Sequence, residues 1–266
     1  NINSLAINGL EQALQISIAT NNFNKAEEVC ELLLDEQPNN SKILQTLIDL
    51  SLYNNNYELS LKMLNKLEKL NGTSIELTIQ KSVVYEELKD EEKSTAVLIE
   101  VLEKDSLDIR ILDRLVNLYI NQKNNSQAII YNKQIIDLFP EDPRGHINQA
   151  IIAMANKSPQ DAILSLNPHI NLFSENFTFQ YLLGTAYYQM KNYDSSKIYL
   201  ENALGIFPQS KNTKHNLALI YDAIGKWDES DKLYMELIAS DSTDAQAYNN
   251  YAYSLVERGE NIEFAL

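Results

Sequence analysis

The residues whose chemistry could serve catalysis or metal binding are few: three histidines and one cysteine. His146, His169 and His215 are scattered along the chain, and we predict that they do not converge. The sequence contains no HExxH motif, no paired cysteines and no acidic calcium loop, so we predict no metal site. The lone Cys30 excludes both an internal disulfide framework and a cysteine-based zinc site.

Motifs for nucleotide binding or nucleophilic catalysis are missing as well. No GxxxxGK[ST], GxGxxG or GxSxG pattern occurs. Cys30 stands at an apolar packing position, which predicts a buried and inert thiol. Carboxylates are abundant, but pairs such as Glu86 and Glu87 are expected to face solvent. We therefore predict no enzymatic activity and no cofactor.

The charge balance and the lack of long apolar stretches restrict the classes of partner. A net charge of −15 repels phosphate backbones, so nucleic acid is not an expected partner. No run of 18 apolar residues occurs, which predicts no direct membrane insertion. The compartment stays open between the cytoplasm and, if a leader was removed, the periplasm or cell envelope.

The elements that must position any site repeat along the chain. The segment that begins at Phe177 aligns with the one that begins at Lys211, a spacing of 34 residues (211 − 177). The same step, without insertion, divides the chain into seven full repeats and a partial one, after a lead-in of residues 1–6. The repeats span residues 7–40, 41–74, 75–108, 109–142, 143–176, 177–210, 211–244 and 245–266.

Certain positions of the repeat keep their residue type. The twentieth is always small in the full repeats, and the eighth becomes small toward the C-terminus, where it is Ala150, Gly184, Ala218 and Ala252. Tyrosine recurs at the eleventh position and proline at the thirty-second. The residues at the twentieth position are Ala26, Ser60, Ser94, Ala128, Ala162, Ser196 and Ser230.

This pattern resembles the tetratricopeptide-repeat (TPR) family over residues 7–266. Within that family it is most similar in general character to bacterial proteins with many repeats. The fourth position lacks the family's tryptophan, and the first three repeats depart at several signature sites. Apolar residues at helical spacing, interrupted at Gly225 and Lys226, independently predict a helix, a turn and a helix in each repeat. The expected fold is an all-α, right-handed superhelical solenoid of antiparallel helix pairs forming one domain.

Two local departures from regularity are expected. Pro159 can open the second helix of the fifth repeat, but Pro168 should end that helix early. At the other end of the chain, the last repeat begins a second helix near Ile262 that cannot stop at residue 266. We therefore expect the array to continue, or an exposed end at Tyr251, Leu255 and Phe264 to be covered by another molecule, including a second copy.

The resemblance implies where a ligand would lie. TPR ligands occupy the concave groove and touch the second, fifth, ninth, twelfth and thirteenth positions of the first helices. From the fifth repeat onward these positions are apolar, aromatic and amide-rich, as suits a peptide; in earlier repeats they are charged. The expected groove residues are Arg144, Ile147, Ile151, Met154, Tyr181, Thr185, Tyr188, Asn212, His215, Leu219, Asn249 and Tyr253.

Three interpretations of this surface remain at the level of the sequence. The leading one is a scaffold or adaptor that binds a protein or peptide segment in the groove. A second is an architectural, self-associating module of a larger protein. In the third, Tyr181 and Tyr188 merely pack between neighbouring repeats. The family's clamp for C-terminal carboxylates is not expected, because Gln45 and Asp49 replace its lysine and asparagine.

Overall fold

The structure is a computed structural model that describes residues 2–104 and 107–260. Over these residues it contains fifteen α-helices, one 3₁₀ turn and no strand. The helices are α1 (Ile2–Ala19), α2 (Phe23–Glu36), α3 (Ser41–Tyr53), α4 (Tyr57–Asn71), α5 (Ile75–Glu87), α6 (Glu91–Glu103), α7 (Ile109–Asn121), α8 (Asn125–Leu138), α9 (Pro143–Ala155), α10 (Pro159–Leu166), α11 (Phe177–Gln189), α12 (Tyr193–Ile206), α13 (Lys211–Ala223), α14 (Trp227–Ser240) and α15 (Ala245–Arg258).

The helix starts follow a 34-residue spacing. From the second repeat onward, the odd-numbered, first helix of each pair begins at the residue where the sequence period places the repeat boundary. The residue before that boundary caps the helix in most repeats; Asp244, for example, accepts a hydrogen bond from the Ala247 N–H at 3.0 Å. This bond is the main cause of the lowered pKa of Asp244. The acidic run 241–244 therefore caps a helix, as expected.

The turn inside each pair uses the left-handed backbone region. Every residue with positive φ among the described residues, except Gly72, stands at the fifteenth repeat position. Only two of these residues are glycine, although glycine alone adopts this region without steric cost. The eight residues are Asn21, Asn55, Lys89, Lys123, Lys157, Lys191, Gly225 and Gly259.

The two helices of a pair cross at the small residues. All seven residues at the twentieth position are completely buried. At the sixth repeat a Cβ added to Gly184 would lie 2.5 Å from Cγ of Leu200 and 3.2 Å from its backbone nitrogen. The Ser196 hydroxyl donates a hydrogen bond to the Gly184 carbonyl at 2.6 Å. The fold is thus an all-α solenoid of helix pairs held at close crossings.

The chain divides into two compact units, unit 1 over residues 1–118 and unit 2 over residues 119–266. In unit 1 a buried apolar cluster runs from Ala26 to Val84. Unit 2 contains one cluster around Phe179 and Leu183, and another around Tyr234. That residues 7–266 form a single array remains a prediction.

The fifth repeat is interrupted as the prolines predict. Helix α10 covers only eight residues, and a 3₁₀ turn, Asn167–His169, follows it around Pro168. Because that turn redirects the chain, His169 reaches back to the first helix of its own repeat. Its ring stacks on that of His146 with the centroids 3.7 Å apart. The prediction that the histidines stay apart is therefore wrong for this pair.

The expectation of an exposed C-terminal face needs correction. Tyr251 and Leu255 are buried and belong to the apolar cluster of unit 2. The Tyr251 ring stacks on Tyr234 of α14, with the centroids 5.4 Å apart, because the first helix of a pair packs on the preceding second helix. Phe264 and the rest of the expected second helix lie outside the described residues.

We expect Gly184→Leu to lower the free energy of unfolding by about 1–3 kcal/mol, because the new side chain must displace Leu200 from the crossing. Urea denaturation followed by circular dichroism measures the change. Gly205→Leu is the matched control, since nothing lies within 4 Å of a Cβ at Gly205 in α12. Equal stability of the two variants would disprove a close crossing at Gly184.

The turn conformation predicts a pair of opposite effects. Gly225→Ala should destabilise the protein by about 1 kcal/mol, because φ at this position is +73°, a conformation that is strained for alanine. Nothing lies within 4 Å of the added Cβ, so a steric clash does not contribute. Lys157→Gly should be neutral or stabilising by up to about 1 kcal/mol. Glycine removes the backbone strain of a positive φ, and this gain outweighs the larger conformational entropy that glycine gives the unfolded chain. Thermal unfolding of both variants checks the assignment, and a destabilised Lys157→Gly variant would contradict it.

Candidate binding surface

The twelve expected groove residues lie on α9, α11, α13 and α15, the first helices of four consecutive repeats in unit 2. Because three- and four-residue steps alternate between the second, fifth, ninth and twelfth positions, these positions share one side of each helix. The structure therefore provides a candidate first-helix surface, defined here by those twelve residues. Its members differ in how far their side chains reach solvent.

Three members are exposed and could contact a ligand directly. Asn212 on α13 and Asn249 on α15 are exposed to solvent. The Tyr253 side chain, 67% exposed, extends from α15. A hydrogen bond to the Glu257 carboxylate raises the pKa of the Tyr253 phenol. This end of the surface thus offers an aromatic ring, an acceptor and two amides.

The α9 end is more apolar and half-buried. Ile147 and Met154 pack against the apolar cluster around Phe179 and leave part of each side chain accessible, as does Ile151. Arg144 forms a fork with the N-cap residue Asp142, through Nε to Oδ1 at 2.9 Å and a terminal nitrogen to Oδ2 at 2.7 Å. The guanidinium holds the pKa of Asp142 below its usual range.

The two tyrosines of α11 pack against neighbouring side chains and also reach the surface. Tyr181 stacks on Phe177, with the centroids 5.8 Å apart, and its hydroxyl accepts a hydrogen bond from Asn216 at 3.3 Å. Thr185 donates to the Tyr181 carbonyl at 2.8 Å. Tyr188 packs against Tyr193, and burial raises the pKa of its phenol. Both rings remain half-buried, so part of each stays accessible.

His215 is placed differently from the other members. It is buried, and its Nε2 lies 3.0 Å from Oδ2 of Asp244, the residue that caps α15. The imidazole therefore ties α13 to the next repeat and is not available to a ligand. Leu219, one turn further along α13, is half-buried.

Of the two stacked histidines, His146 is buried. Burial and the neighbouring His169 ring lower the pKa of His146, whose ring nitrogen also bonds the Pro140 backbone. In the part of the chain that the structure describes, no group of three or more histidine, cysteine, aspartate or glutamate side chains could hold a metal ion. Cys30 is fully buried, and burial raises the pKa of its thiol to about 11.

A polar connection that sequence reasoning missed joins three helices of unit 2. Asp222 of α13 accepts hydrogen bonds from the Ser254 hydroxyl of α15 at 2.8 Å and from the Tyr234 hydroxyl of α14 at 3.3 Å. Burial, followed by the Asp222 charge, raises the pKa of Tyr234. Asp222 stands at a groove position. Nothing in the sequence shows whether a carboxylate at this position faces solvent or accepts hydrogen bonds from neighbouring helices.

In unit 1 both arginines of α7 are already paired. Arg110 contacts both Asp108 and Glu76, and Arg114 pairs with Glu86. The lysine and asparagine of a carboxylate clamp are replaced by Gln45 and Asp49, whose side chains bond each other at 2.9 Å.

The comparisons with known proteins agree with this architecture. The family model "Tetratricopeptide repeat" matches residues 177–210, and no curated protein matches the chain. A tetratricopeptide repeat protein from Parabacteroides merdae is similar, with 13% identity and a TM-score of 0.68, over 94% of this chain and 99% of that one. PilF of Pseudomonas aeruginosa gives 16% identity and a TM-score of 0.63, over 82% and 97% of the two chains.

A match from the Cut9–Hcn1 hetero-tetramer of the APC/C has 16% identity and a TM-score of 0.64, and covers 91% of this chain but 48% of that one. At such identities the similarity concerns the fold. Together with the matched repeat at residues 177–210, it supports a fold like that of tetratricopeptide-repeat proteins for this chain. Proteins of this class generally serve as protein-interaction scaffolds. No described helix is long and apolar enough to cross a membrane.

The placement of His215 yields a test. His215→Ala should lower the free energy of unfolding by about 1–3 kcal/mol, because it opens a cavity and removes a partner from the partly buried Asp244 carboxylate. Asn212→Ala, one turn earlier on the exposed side of α13, should stay within about 0.5 kcal/mol of the wild type. Equal stability of both variants would mean that His215 faces solvent.

Proposed function

We propose that this chain is a scaffold that binds an extended or helical peptide segment of a partner protein on the first-helix surface of unit 2. One observation carries the proposal: exposed amides and an exposed tyrosine adjoin half-buried aromatic and aliphatic side chains on four consecutive first helices. Amides can satisfy the backbone groups of a peptide, while tyrosine gives contact area at low entropic cost.

The division of the surface favours a peptide over a small molecule. Ile147, Ile151 and Met154 offer apolar contacts near α9, whereas Asn249 and Tyr253 offer polar contacts on α15. Neighbouring first helices in a stack are roughly 10 Å apart, so a ligand that touches all four must be long. His215 and Asp222 support this surface from beneath, since both are engaged within the fold.

We further propose that the chain acts by binding and without catalysis. Cys30, its one thiol, is buried and stays protonated near neutral pH. The phenols of Tyr188, Tyr234 and Tyr251 have raised pKa values as a result of burial, so they are poor general bases at that pH. These four groups thus belong to the packing between helices.

The proposal predicts which surface substitutions abolish partner capture. The variant Asn212→Ala/Asn249→Ala/Tyr253→Ala should weaken binding to a captured partner at least about tenfold, because one central aromatic contact commonly contributes more than about 1.4 kcal/mol. All three side chains are exposed, so helical content should not change. Quantitative pull-down from native lysate identifies the partner, and titration with its synthetic segment gives the affinity.

The matched control is Ile130→Ala/Leu164→Ala/Ile198→Ala, which truncates three exposed side chains at the twenty-second repeat position on second helices. Binding that survives the first variant but not the control would refute the assigned surface. Concentration-dependent self-association without any captured partner would favour the architectural role instead.

A further inference from the structure

A groove in unit 1, on second helices, lies outside the proposed peptide surface. It runs between α2 and α4, over the side of α3, and encloses about 700 Å³. Its floor is apolar and consists of Leu34, Leu47 and Met63, all buried, together with the half-buried Leu61. The floor is therefore apolar, and Leu61 is its most accessible side chain.

The two walls of this groove carry opposite charges. On the α2 side stand Glu31 and Asp35, one helical turn apart. On the α4 side stand Lys62, Lys66 and Lys69, spaced so that the three side chains follow one stripe of the helix. Glu58 adds a carboxylate where α4 begins.

The wall charges face the groove without an ion pair among the residues that the structure describes. There, no carboxylate lies within ion-pair distance of the three lysines, and no cation lies that close to Glu31 or Asp35. Some other lysines of the same unit are paired: Lys81 with Glu68 at 2.7 Å, and Lys25 with Glu28 at 2.7 Å. The three wall lysines form a positively charged stripe in a chain with a net charge of −15.

The repeat supplies an internal comparison. Five 34-residue steps along the chain (201 − 31 = 170), an equivalent groove in unit 2 has Glu201 where the first has Glu31, and Lys232 where the first has Lys62. There Glu201 accepts a hydrogen bond from Tyr221 at 2.7 Å. Glu236, at the place of Lys66, pairs with Lys214 at 2.8 Å.

That second groove encloses only about 390 Å³, and two of its wall carboxylates bind side chains of the fold itself. The register is the same, so the helix geometry alone does not explain the open, charge-separated walls of the first groove. What differs is the choice of residues on the walls.

We propose that the α2–α4 groove binds an amphipathic helical segment of a partner protein. The apolar face of that segment lies on the leucines and methionine of the floor. Acidic residues on one flank face Lys62, Lys66 and Lys69, while basic residues on the other flank face Glu31 and Asp35. The lysine stripe spans about 10 Å, so two turns of the bound helix make these contacts.

The charge arrangement determines the direction of the bound helix. Rotating the segment end for end exchanges its flanks and brings like charges together, so one orientation is selected. Burial of the apolar face supplies most of the affinity, because exposed ion pairs contribute little to it. This site is independent of the first-helix surface, and either can fail without the other.

The test uses the full 266-residue chain and two stapled, fluorescein-labelled helical peptides of identical composition. Both carry leucines along one face. In the segregated peptide, glutamates occupy one flank and lysines the other; in the mixed peptide, the two alternate along both flanks. Fluorescence anisotropy gives each affinity, and we expect the segregated peptide to bind at least about tenfold more tightly.

Variants locate the binding. Lys62→Glu/Lys66→Glu/Lys69→Glu should abolish the preference for the segregated peptide, and Leu61→Gln should weaken the binding of both peptides. The control Lys123→Glu/Lys157→Glu/Lys191→Glu changes the net charge by the same amount as the first triple variant. Its three sites are exposed turn residues outside the groove, so the preference should stay intact.

Equal affinities for the two peptides, no measurable binding, or equal losses in the two triple variants would overturn the proposal. A concentration-dependent dimer of the wild type that Lys62→Glu/Lys66→Glu/Lys69→Glu abolishes would also overturn it, because the occupant would then be a second copy of the chain.

Discussion

The close crossing of two helices within each repeat is the contact on which the rest of this structure depends. It requires a small residue at the twentieth position, and all seven such residues are fully buried. At Gly184, the eighth position of the sixth repeat, Leu200 and its backbone leave no room for a Cβ. Because the crossing fixes how each pair packs, it also fixes which residues of the first helix turn outward.

Polar side chains join neighbouring repeats in unit 2 once the crossing has fixed each pair. His215 contacts the Asp244 cap of the next repeat, and Asp222 holds Ser254. Asn216 reaches the Tyr181 hydroxyl of the repeat before it. These contacts lie inside the stack, whereas Asn212, Asn249 and Tyr253 are exposed to solvent. The proposed binding surface therefore rests on a polar scaffold as well as an apolar one.

Features that depend on local spacing could be predicted from the sequence. The helix starts, the crossings and the early end of α10 at Pro168 follow from the period and from proline's missing N–H. Features that depend on the three-dimensional path could not. His169 meets His146 only because the 3₁₀ turn redirects the chain after α10.

The same limit applies to the candidate sites. Position in the repeat predicts which side of a helix a residue occupies, but His215 turns toward Asp244 because that carboxylate lies within reach of its ring. The charged walls of the α2–α4 groove come from two different repeats, and their unpaired state depends on what surrounds each side chain. A repeat alignment alone does not contain that information.

A double-mutant cycle on Gly184 and Leu200 tests the central role of the crossing most directly. Gly184→Ala, Leu200→Ala and the double variant are compared with the wild type by their free energies of unfolding in urea. The account predicts that Gly184→Ala costs much less stability when Leu200 is already alanine, with a coupling above about 1 kcal/mol. Additive effects of the two substitutions would contradict a direct clash at this crossing, and with it the constraint from which the outward surfaces follow.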